Sequence, residues 1–444
     1  MSGRSRADAE IDALLARHPK GFDLALDRIR RLLAGLGDPQ RRLPPTIHVA
    51  GTNGKGSTVA FSRAILEAAG RSVHVHTSPH LVNWHERYRL GRADGPGRFV
   101  SDDDLADAVR RAASANGEAP ITVFEVLTAV AFLLFSEHPA DACLLEVGLG
   151  GRFDATNVIE TPAATLIASI SLDHQSYLGD RVELIAAEKA GIFKRGVPAV
   201  VGQQSEPTAL EVLRTQAARV GAPIRVYGED FFAFEERGRF VYQDEAGLLD
   251  LPLPRLSGRH QLSNAALAIA GLRAGGFDIP RSAIEQGVAR AEWPGRMQRL
   301  TSGPVFDLAA PGSEVWLDGG HNPGAGLVMA EAIANMEDRV PRPLVLVCGM
   351  LTTKEPLGFF EAFSGIARHV MTVPILSSDA GLPAEDLADV AREAGLDAQA
   401  CGSVEEAIDV VSRNWEAETP PRFLICGSLY LVGEVLAASG LAPK

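Results

Sequence analysis

With 444 residues, the chain is long enough for about two or three domains, each large enough to bury a core. Hydrophobic residues make up 46% of it and charged residues 22%, a balance that excludes a disordered chain. The formal net charge of −13 excludes a general nucleic-acid or anionic-membrane surface, because such surfaces need clustered Lys and Arg. An anionic ligand must therefore meet a locally positive site.

The N-terminal sequence lacks the apolar segment of a secretory signal, and the longest apolar run, "VLTAVAFLLF", is too short to cross a bilayer. We therefore expect a cytoplasmic protein without a membrane segment. The cysteines are far apart in sequence and three of the four lie in or beside apolar runs, so we expect reduced core thiols rather than disulfides or metal ligands. They are Cys143, Cys348, Cys401 and Cys426.

Short apolar strands alternate with helical stretches through the first half of the chain. The strands are "TIHVAG", "SVHVHTS", "ACLLEVGLG", "ATLIASIS" and "PAVVGQ". Helical patterns such as "STVAFSRAILEAAG" and "FEVLTAVAFLLF" lie between them. This alternation predicts βαβ units and a mostly parallel sheet covered on both faces.

The first of these strands leads into a glycine-rich turn, "HVAGTNGKGSTVAF". Glycines let backbone N–H groups point into one concavity, the helix that follows adds partial positive charge at its N-terminus, and Lys55 adds a full charge. The turn departs from the full phosphate-loop pattern, because Val49 stands six positions before Lys55 and Gly56 follows it directly. It still predicts a triphosphate cradle, in which Ser57 or Thr58 offers a hydroxyl to Mg²⁺.

Polar side chains gather at the ends of the other predicted strands. In an open parallel sheet these ends face one crevice, so a hydroxyl, a carboxylate and an imidazole from separate loops can converge beside the phosphates. Mg²⁺ prefers oxygen ligands of this kind. The candidate residues are Ser78, His80, Glu146, Arg152, Asp154, Asp173 and His174.

Lys189 lies on a predicted helix after these loops, in "ELIAAEKAGIFKRG". Its neighbours alone indicate a solvent-exposed helix residue. The spacing of this segment indicates nothing further.

The second half of the chain reads as another α/β unit. The segment "DFFAFEERGRFVYQDEAGLLDLPLP" predicts antiparallel strands, and two helices follow it up to Pro294 and Gly295, which mark a domain boundary. Strands "EVWLDGGHN", "PLVLVCGM", "VMTVPIL" and "RFLICGS" then alternate with helices. We therefore predict two α/β domains joined near residue 295.

Polar loops also follow the strands of this second unit. Asp318, His321 and Asn322 lie in the glycine-rich loop "LDGGHNPGAG", which indicates a ligand loop, and Lys354 and Ser428 follow two other strands. These loops would line the second domain's side of an interdomain cleft.

Nine motifs, in this order, carry a resemblance to a known family: "GTNGKGST", "SPHL", "LEVGLGGRFDATN", "LDHQSYLG", "EKAGIFK", "GRHQLSNA", "PGRMQ", "DGGHNP" and "GSLYLVGE". They resemble the folylpolyglutamate and dihydrofolate synthases, the folate branch of the Mur ligases, over nearly the whole chain. The resemblance implies an α/β fold with a P-loop-type parallel-sheet ATPase domain at residues 1–295, which holds the pterin site. A smaller Rossmann-like glutamate ligase domain would follow at residues 296–444, with the active site between the two.

The resemblance also implies an activity and its partners. The activity is ATP-dependent amide formation between L-glutamate and dihydropteroate or a folyl (poly)glutamate, through an acyl phosphate. ATP and Mg²⁺ would be the cofactors, and a monovalent cation such as K⁺ is allowed. The substrates would be dihydropteroate or a reduced folate, L-glutamate and ATP, and the protein would be a monomer without nucleic-acid or membrane partners.

Site residues are implied in four groups. The nucleotide would contact Gly51, Thr52, Asn53, Gly54, Lys55, Gly56, Ser57, Thr58, Asn264, Arg296 and Asp318. The metal would bind Ser57, Ser78, Glu146 and His174, and the substrates would contact Ser78, Pro79, His80, Phe124, Arg152, Asp154, Ala155 and Ser428. Catalysis would depend on Lys55, on His321 and on Lys189, which the resemblance makes a carbamylated residue near the metal rather than an exposed one.

Two departures from the family pattern stand out. Gly320 replaces the usual alanine of "DGAHN", which is a small change, whereas Trp84 and His85 are unexpected beside the "SPHL" loop and bear on the pterin preference. His321 would steady the phosphate or transfer a proton, and the sequence leaves both roles open. It also leaves open whether the chain adds the first glutamate, extends the tail, or does both.

Three other functions remain as alternatives. Another Mur-family ligase would join an amino acid to a cell-wall precursor, although the "SPHL" and "GLGGRFDATN" pair speaks against it. A P-loop regulatory protein would hydrolyse nucleotide, but it would not need the polar loops of a second domain. A catalytically inactive folate-binding protein is disfavoured because Lys55, Glu146, His174 and Lys189 are all present.

Overall fold

The computed structural model describes residues 5–18 and 25–443, which form two α/β domains, each built on its own sheet. The strands are β1 (Thr46–Ala50), β2 (Val73–His76), β3 (Tyr88–Arg92), β4 (Gly95–Phe99), β5 (Ala142–Glu146), β6 (Ala164–Ile167), β7 (Ala199–Val201), β8 (Ile224–Val226), β9 (Phe231–Glu236), β10 (Arg239–Asp244), β11 (Gly247–Leu251), β12 (Gln298–Leu300), β13 (Glu314–Leu317), β14 (Leu344–Cys348), β15 (Ala367–Thr372), β16 (Ala398–Ala400) and β17 (Arg422–Cys426). The helices are α1 (Arg6–Arg17), α2 (Asp27–Gly35), α3 (Lys55–Ala68), α4 (Asp102–Asn116), α5 (Val123–Glu137), α6 (Gln175–Leu178), α7 (Val182–Lys189), α8 (Pro207–Val220), α9 (His260–Ala274), α10 (Arg281–Arg290), α11 (Pro304–Leu308), α12 (Pro323–Glu337), α13 (Pro356–Glu361), α14 (Ala384–Glu393), α15 (Val404–Arg413) and α16 (Leu429–Ala438).

The sheet of the first domain has eight strands in the order β4-β3-β2-β5-β1-β6-β7-β8. The six strands from β2 to β8 in this order run parallel, and β3 and β4 form an antiparallel edge that the sequence pattern did not predict. The central strand β1 is buried along its whole length, which explains its continuous apolar run. Its carboxyl end lies beside those of β5 and β6.

Helices cover both faces of this sheet, as the strand and helix alternation predicts. Ile47 and Val49 point into a core formed with α3, α9 and α10, and the small antiparallel sheet β11-β10-β9 packs on the same core. On the other face, Leu145 packs with α1, α2, α4 and α5, and Ala50 packs with α7 and α8. The domain therefore has three layers.

The second domain has a six-stranded sheet in the order β12-β13-β17-β14-β15-β16, parallel except for β12. Helices α11, α15 and α16 pack on one face, and α12, α13 and α14 pack on the other. The four predicted strands are present, whereas β12 and β16 are only three residues long and were missed. The change of sheet falls between α10 and β12, and the boundary at residue 295 stays a prediction.

The structure confirms the prediction that the cysteines are reduced core thiols. The four cysteines are buried free thiols, and Cys348 and Cys426, although far apart in sequence, are neighbours on β14 and β17. Within the described ranges, no helix combines the length and apolar character that crossing a membrane requires. The prediction about a secretory signal rests partly on residues 1–4, which lie outside the described residues.

Candidate active site

The glycine-rich turn lies between β1 and α3, at the centre of the first sheet. Helix α3 begins at Lys55, and Gly54 precedes it in the left-handed region with φ of 88°. A Cβ at Gly54 would collide with the Asn264 amide, and a Cβ at Gly56 would lie 2.7 Å from the Trp293 ring. Glycine is therefore required at both positions, and the turn keeps its backbone open toward the cavity.

Lys55 and Lys189 bring two ammonium groups to this turn. Lys55 Nζ donates to the carbonyls of Gly51 and Thr52, both at 3.1 Å, and Lys189 Nζ donates to the same Gly51 carbonyl at 2.9 Å. Lys189 is only 4% exposed, so the exposed position indicated by its neighbours is wrong. Across residues 5–18 and 25–443, neither ammonium has a carboxylate within ion-pair distance. Both ammonium groups therefore have backbone carbonyls as their hydrogen-bond partners, and the carboxylates of Glu146 and Asp173 act on Lys55 only from a distance.

Burial weakens the protonation of both lysines. It lowers the pKa of Lys55, and it lowers the pKa of Lys189 to about 7, with the charge of Lys55 as a second cause. At neutral pH a sizeable fraction of Lys189 is a neutral amine. An anion at this turn would favour the charged form of Lys55.

The four predicted metal ligands line one cavity beside the turn. Burial raises the pKa of Glu146 and lowers that of His174 to about 3, so the imidazole is neutral, as a metal ligand must be. In the described part of the chain, no three His, Cys, Asp or Glu side chains cluster as a metal site. One carboxylate, one imidazole and two hydroxyls, from Ser57 and Ser78, nevertheless suit a hard cation that takes its other oxygen ligands from phosphate.

Ser57 rather than Thr58 has a hydroxyl available to a metal. The Thr58 side chain is fully buried and donates to the Gly54 carbonyl at 2.9 Å. Ser57 Oγ accepts only a long bond, of 3.4 Å, from Gln261 Nε2. Gln261 in turn accepts from Asn264 at 3.0 Å, which connects the predicted nucleotide residue to the turn.

The predicted pterin residues lie on the loop after β5 and on α5. Asp154 is buried, and its two oxygens accept from Gly148 N, Leu149 N and both donors of Thr156. Each oxygen of Asp154 thus already accepts two hydrogen bonds within the loop. Bonding to a pterin ring stays a prediction, and it would require Asp154 to give up or share one of these bonds. Ala155 is also buried, and Phe124 lies against Gly148, where a Cβ would collide with its ring.

The loop after β2 contains the departures from the family pattern. Arg87 Nε donates to His80 Nδ1 at 2.9 Å, and the Trp84 ring packs on both residues. Burial lowers the pKa of His80 to about 3. Trp84 therefore fixes this loop through stacking, while His85 lies 3.3 Å from Asp102.

The second domain supplies the other side of the cavity, whose volume is about 990 Å³. Arg296, Asp318 and His321 line it together with residues 51–57, Ser78, Pro79, Glu146, His174, Lys189 and Asn264. Asp318 accepts from Met297 N and Gly320 N, so its carboxylate is held in place. The other predicted site residues do not line this cavity: Thr58, His80, Phe124, Arg152, Asp154, Ala155 and Ser428.

Ser428 and Arg152 differ in their surroundings. Ser428 is buried as the N-cap of α16, where its hydroxyl accepts from Tyr430 N at 3.1 Å. Arg152 is half exposed and lies 3.5 Å from Glu188. Their substrate contacts stay predictions.

Comparison with known proteins identifies the chain. Residues 49–272 match the Mur ligase middle domain, and residues 295–429 match the Mur ligase glutamate ligase domain. The dihydrofolate synthase/folylpolyglutamate synthase of Escherichia coli (strain K12) is 34% identical over 424 residues, which span 94% of this chain and 92% of that protein. The chain belongs to the folylpolyglutamate and dihydrofolate synthase family of Mur ligases. The Bacillus subtilis (strain 168) member is 37% identical over 318 residues, or 68% of this chain and 70% of its own length.

Solved structures of the folylpolyglutamate and dihydrofolate synthase family confirm the fold class. E. coli FolC in complex with DHPP and ADP superposes with a TM-score of 0.85 at 32% identity, covering 98% of this chain and 97% of that one. A bifunctional family member with Mn, AMPPNP and L-glutamate bound has a TM-score of 0.83 at 31% identity, covering 98% and 99%. As a Mur ligase of this family, the chain is an ATP-dependent ligase that uses a divalent metal.

Sequence reasoning missed part of the site. Asp173 was predicted only as one of several residues beside the phosphates and Lys354 only as part of a cleft loop, although they form an ion pair across the cleft. Gln261 was not considered. The position of Gln261 could have been inferred from the sequence, because it stands three positions before the predicted nucleotide residue Asn264 on the same face of α9. The Asp173–Lys354 ion pair could not have been inferred from local sequence, since 181 positions separate the two residues.

Proposed function

We propose that the chain joins L-glutamate to dihydropteroate and to folyl (poly)glutamates, with ATP activating the acceptor carboxylate as an acyl phosphate. The observation that carries this proposal is the pair of ammonium groups of Lys55, which is half-buried, and Lys189, which is buried. Neither has a carboxylate within ion-pair distance, and both line a cavity between a phosphate turn and a glutamate ligase domain. Related structures with DHPP and ADP, and with Mn, AMPPNP and L-glutamate, support the substrate classes. Relatives named for both activities support both.

The chemistry explains why this site needs cations. A carboxylate is a poor electrophile, so its oxygen first attacks the γ-phosphorus of ATP and ADP leaves. The amine of glutamate then adds to the carbonyl of the acyl phosphate, and the tetrahedral intermediate expels phosphate and loses a proton. Lys55 and the N-terminus of α3 would stabilise the charge on the transferred phosphoryl group.

The metal would be held by Ser57, Ser78, Glu146 and His174. When bound, it supplies charge neutralisation for the phosphates. Glu146 is only 5% exposed, and it accepts one long hydrogen bond, of 3.3 Å, from Ser78 N, with the charges of Lys55 and Arg296 acting from farther away. A cation at this position would relieve that deficit.

Lys189 would act as a carbamate. A neutral amine attacks CO₂ and loses a proton, and the pKa of about 7 makes that neutral form accessible. The product is an anion next to the metal position, whereas an unmodified ammonium there would repel the metal. The modification also turns the two-cation cluster at Gly51 into a cation–anion pair.

His321 would serve the same phosphate. Its Nδ1 lies 2.9 Å from the Gly319 carbonyl and so carries the proton in the neutral tautomer, which leaves Nε2 directed at the cleft. Burial lowers the pKa of His321, which favours that neutral form. Nε2 would then accept a proton from the attacking amine, or donate a hydrogen bond to phosphate once protonated.

The remaining assignments are parts of the same proposal. Dihydropteroate or a reduced folate would bind near Phe124, Asp154 and Ala155, on the loop after β5. The protein would work as a cytoplasmic monomer without nucleic-acid or membrane partners, in keeping with its net charge of −13.

ADP release by the purified protein tests the proposal. With ATP, Mg²⁺ and L-glutamate, ADP should form only when dihydropteroate or tetrahydrofolate is added, and omission of glutamate should abolish ligated product. Mass spectrometry of the product would show the addition of one or more glutamate residues. ADP release that is independent of both glutamate and folate would instead indicate a P-loop nucleotide hydrolase.

A further inference from the structure

Asp173 lies where the first domain meets two loops of the second domain. It follows β6, and its Oδ1 accepts a hydrogen bond from Lys354 Nζ at 2.8 Å. Its Oδ2 accepts from Asn322 Nδ2 at 3.0 Å, and His321 Nε2 lies 3.5 Å from the same oxygen. The three partners come from the loops after β13 and β14, so the Asp173 carboxylate contacts both loops of the second domain.

While the domains are together, the second domain compensates the nearly buried charge of this carboxylate. The side chains of Asp173 and Lys354 are 9% and 7% exposed, and a buried charge is costly unless it is paired and hydrogen-bonded. If the domains separate, only the contacts with neighbouring His174 remain.

Asn322 connects this contact to the nucleotide turn. The side-chain amides of Asn322 and Asn53 exchange two hydrogen bonds, at 3.0 and 3.1 Å. Asn322 is also the N-cap of α12, where its Oδ1 accepts from Ala325 N at 2.8 Å. The start of α12 is therefore fixed to the phosphate turn and to Asp173 at once.

A second contact between the domains is apolar. Leu81 and Val82, from the loop after β2, pack into the core of the second domain, and a Cβ at Gly433 would collide with the Leu81 carbonyl. The loops after β2 and β6 are three strand positions apart, or about 14 Å, and the nucleotide turn lies between them. The apolar contact can act as a pivot while the polar contact opens to water.

We propose that Asp173 is a positioning residue that latches the interdomain cleft over the nucleotide turn. It holds His321 and Lys354 against the phosphate position when the cleft is closed, and its exposure to water on opening lets product leave. This role rests on the proposed ligase function and adds to it the residue that couples closure to chemistry.

The test measures closure and catalysis in the same variants. Cysteines introduced at exposed Ala218 on α8 and Glu393 on α14 accept spin labels, while the native cysteines are buried. The distance between labels is measured with AMPPNP and Mg²⁺ bound. Asp173→Asn is compared with Asp397→Asn, a control that removes an exposed carboxylate paired with His369 at 2.6 Å inside the second domain.

We expect Asp173→Asn to broaden and lengthen the label distance and to lower kcat for ligation about 100-fold. KM for ATP should stay within about threefold, because the triphosphate turn belongs to the first domain and only Arg296 and Asp318 of the predicted nucleotide contacts belong to the second. Asp397→Asn should change neither quantity. Adding Lys354→Met to Asp173→Asn should cost no more than the larger single effect, because the two residues form one contact.

Unchanged label distances in Asp173→Asn would overturn the latch, even if ligation were lost. Fully additive effects of Asp173→Asn and Lys354→Met would overturn it as well. If the wild-type protein makes no glutamate-dependent product, the proposed function fails, while the label distances still report whether Asp173 closes the cleft.

Discussion

Arg422 is a buried cation and Lys55 a half-buried one, but only Arg422 has carboxylates within ion-pair distance. In the second domain, Arg422 Nε donates to Glu314 Oε2 at 2.9 Å, and Nη1 donates to Glu337 Oε1 at 2.5 Å. Its remaining nitrogen donates to the Val340 carbonyl at 3.2 Å. In the first domain, Lys55 donates only to two backbone carbonyls.

The difference separates a structural charge from a ligand-binding one. A buried guanidinium whose three nitrogens all donate to protein acceptors is explained without a ligand. A buried ammonium that lacks a counter-charge is costly in the free protein, and an anionic ligand recovers that cost on binding. Lys55 and Lys189 thus indicate the triphosphate site, whereas Arg422 holds β17 to its neighbours.

Lys55→Ala should have the largest effect on ligation. We expect kcat to fall about 1000-fold, because the residue stabilises charge on the transferred phosphoryl group, while the thermal unfolding temperature stays near that of wild type. Lys194→Ala, which removes a lysine bonded to Asn157 outside the cavity, is the matched control. Ligation within a few-fold of wild type would contradict the phosphate-cradle interpretation of the glycine-rich turn.

Lys189→Ala should lower kcat about 100-fold, because it removes the proposed carbamate beside the metal. Added acetate should restore part of the activity by placing a carboxylate in the vacated space. Since the pKa of Lys189 is about 7, carbamylation should increase as the pH rises through 7 and decrease below it.

A carbon-13 signal from labelled bicarbonate measures the carbamate in the wild-type protein directly. The signal should be absent from Lys189→Ala. Full activity of Lys189→Ala, together with no carbon-13 signal in wild type, would contradict the carbamate.

Glu146→Gln should raise the Mg²⁺ concentration needed for half-maximal activity by about tenfold or more, because a neutral amide is a poor ligand for a hard cation. Saturating Mg²⁺ should recover part of kcat. Titration of ligation against Mg²⁺ at fixed ATP provides the measurement. An unchanged midpoint would remove Glu146 from the metal site.

Arg422→Met should affect stability and leave the chemistry alone. We expect the free energy of unfolding to fall by about 3 kcal/mol, because Glu314 and Glu337 lose their shared cation, and the partial exposure of Glu337 limits the loss. Ligation per folded molecule should stay within about twofold of wild type. Urea unfolding measures the loss of stability, and kcat at low temperature measures the chemistry of the folded variant. A large loss of kcat in the folded variant would contradict the purely structural role of Arg422.

Local sequence was enough to predict most strands and the glycine-rich turn, because apolar runs and glycines carry their signal within a few residues. The burial of Lys189 could be inferred only from the family resemblance, since a lysine between Glu188 and Ala190 on a short helix carries no local signal for the burial that tertiary packing imposes. The antiparallel edge β3–β4 and the three-residue strands β12 and β16 are too short or irregular for a periodic pattern. The roles of Asp173 and Lys354 depend on how two separate domains dock, which no local pattern encodes.

The close approach of Gly433 to the Leu81 carbonyl makes the apolar contact between the domains sensitive to the size of one side chain. Helix α16 lies against the loop after β2 with no room for even a methyl group. The methyl group of an alanine at position 433 would push α16 away from the loop after β2 and so tilt the second domain relative to the first. The substitution itself removes no polar group from the nucleotide turn. The absence of a side chain at Gly433 thus allows the two domains to approach this closely at the loop after β2.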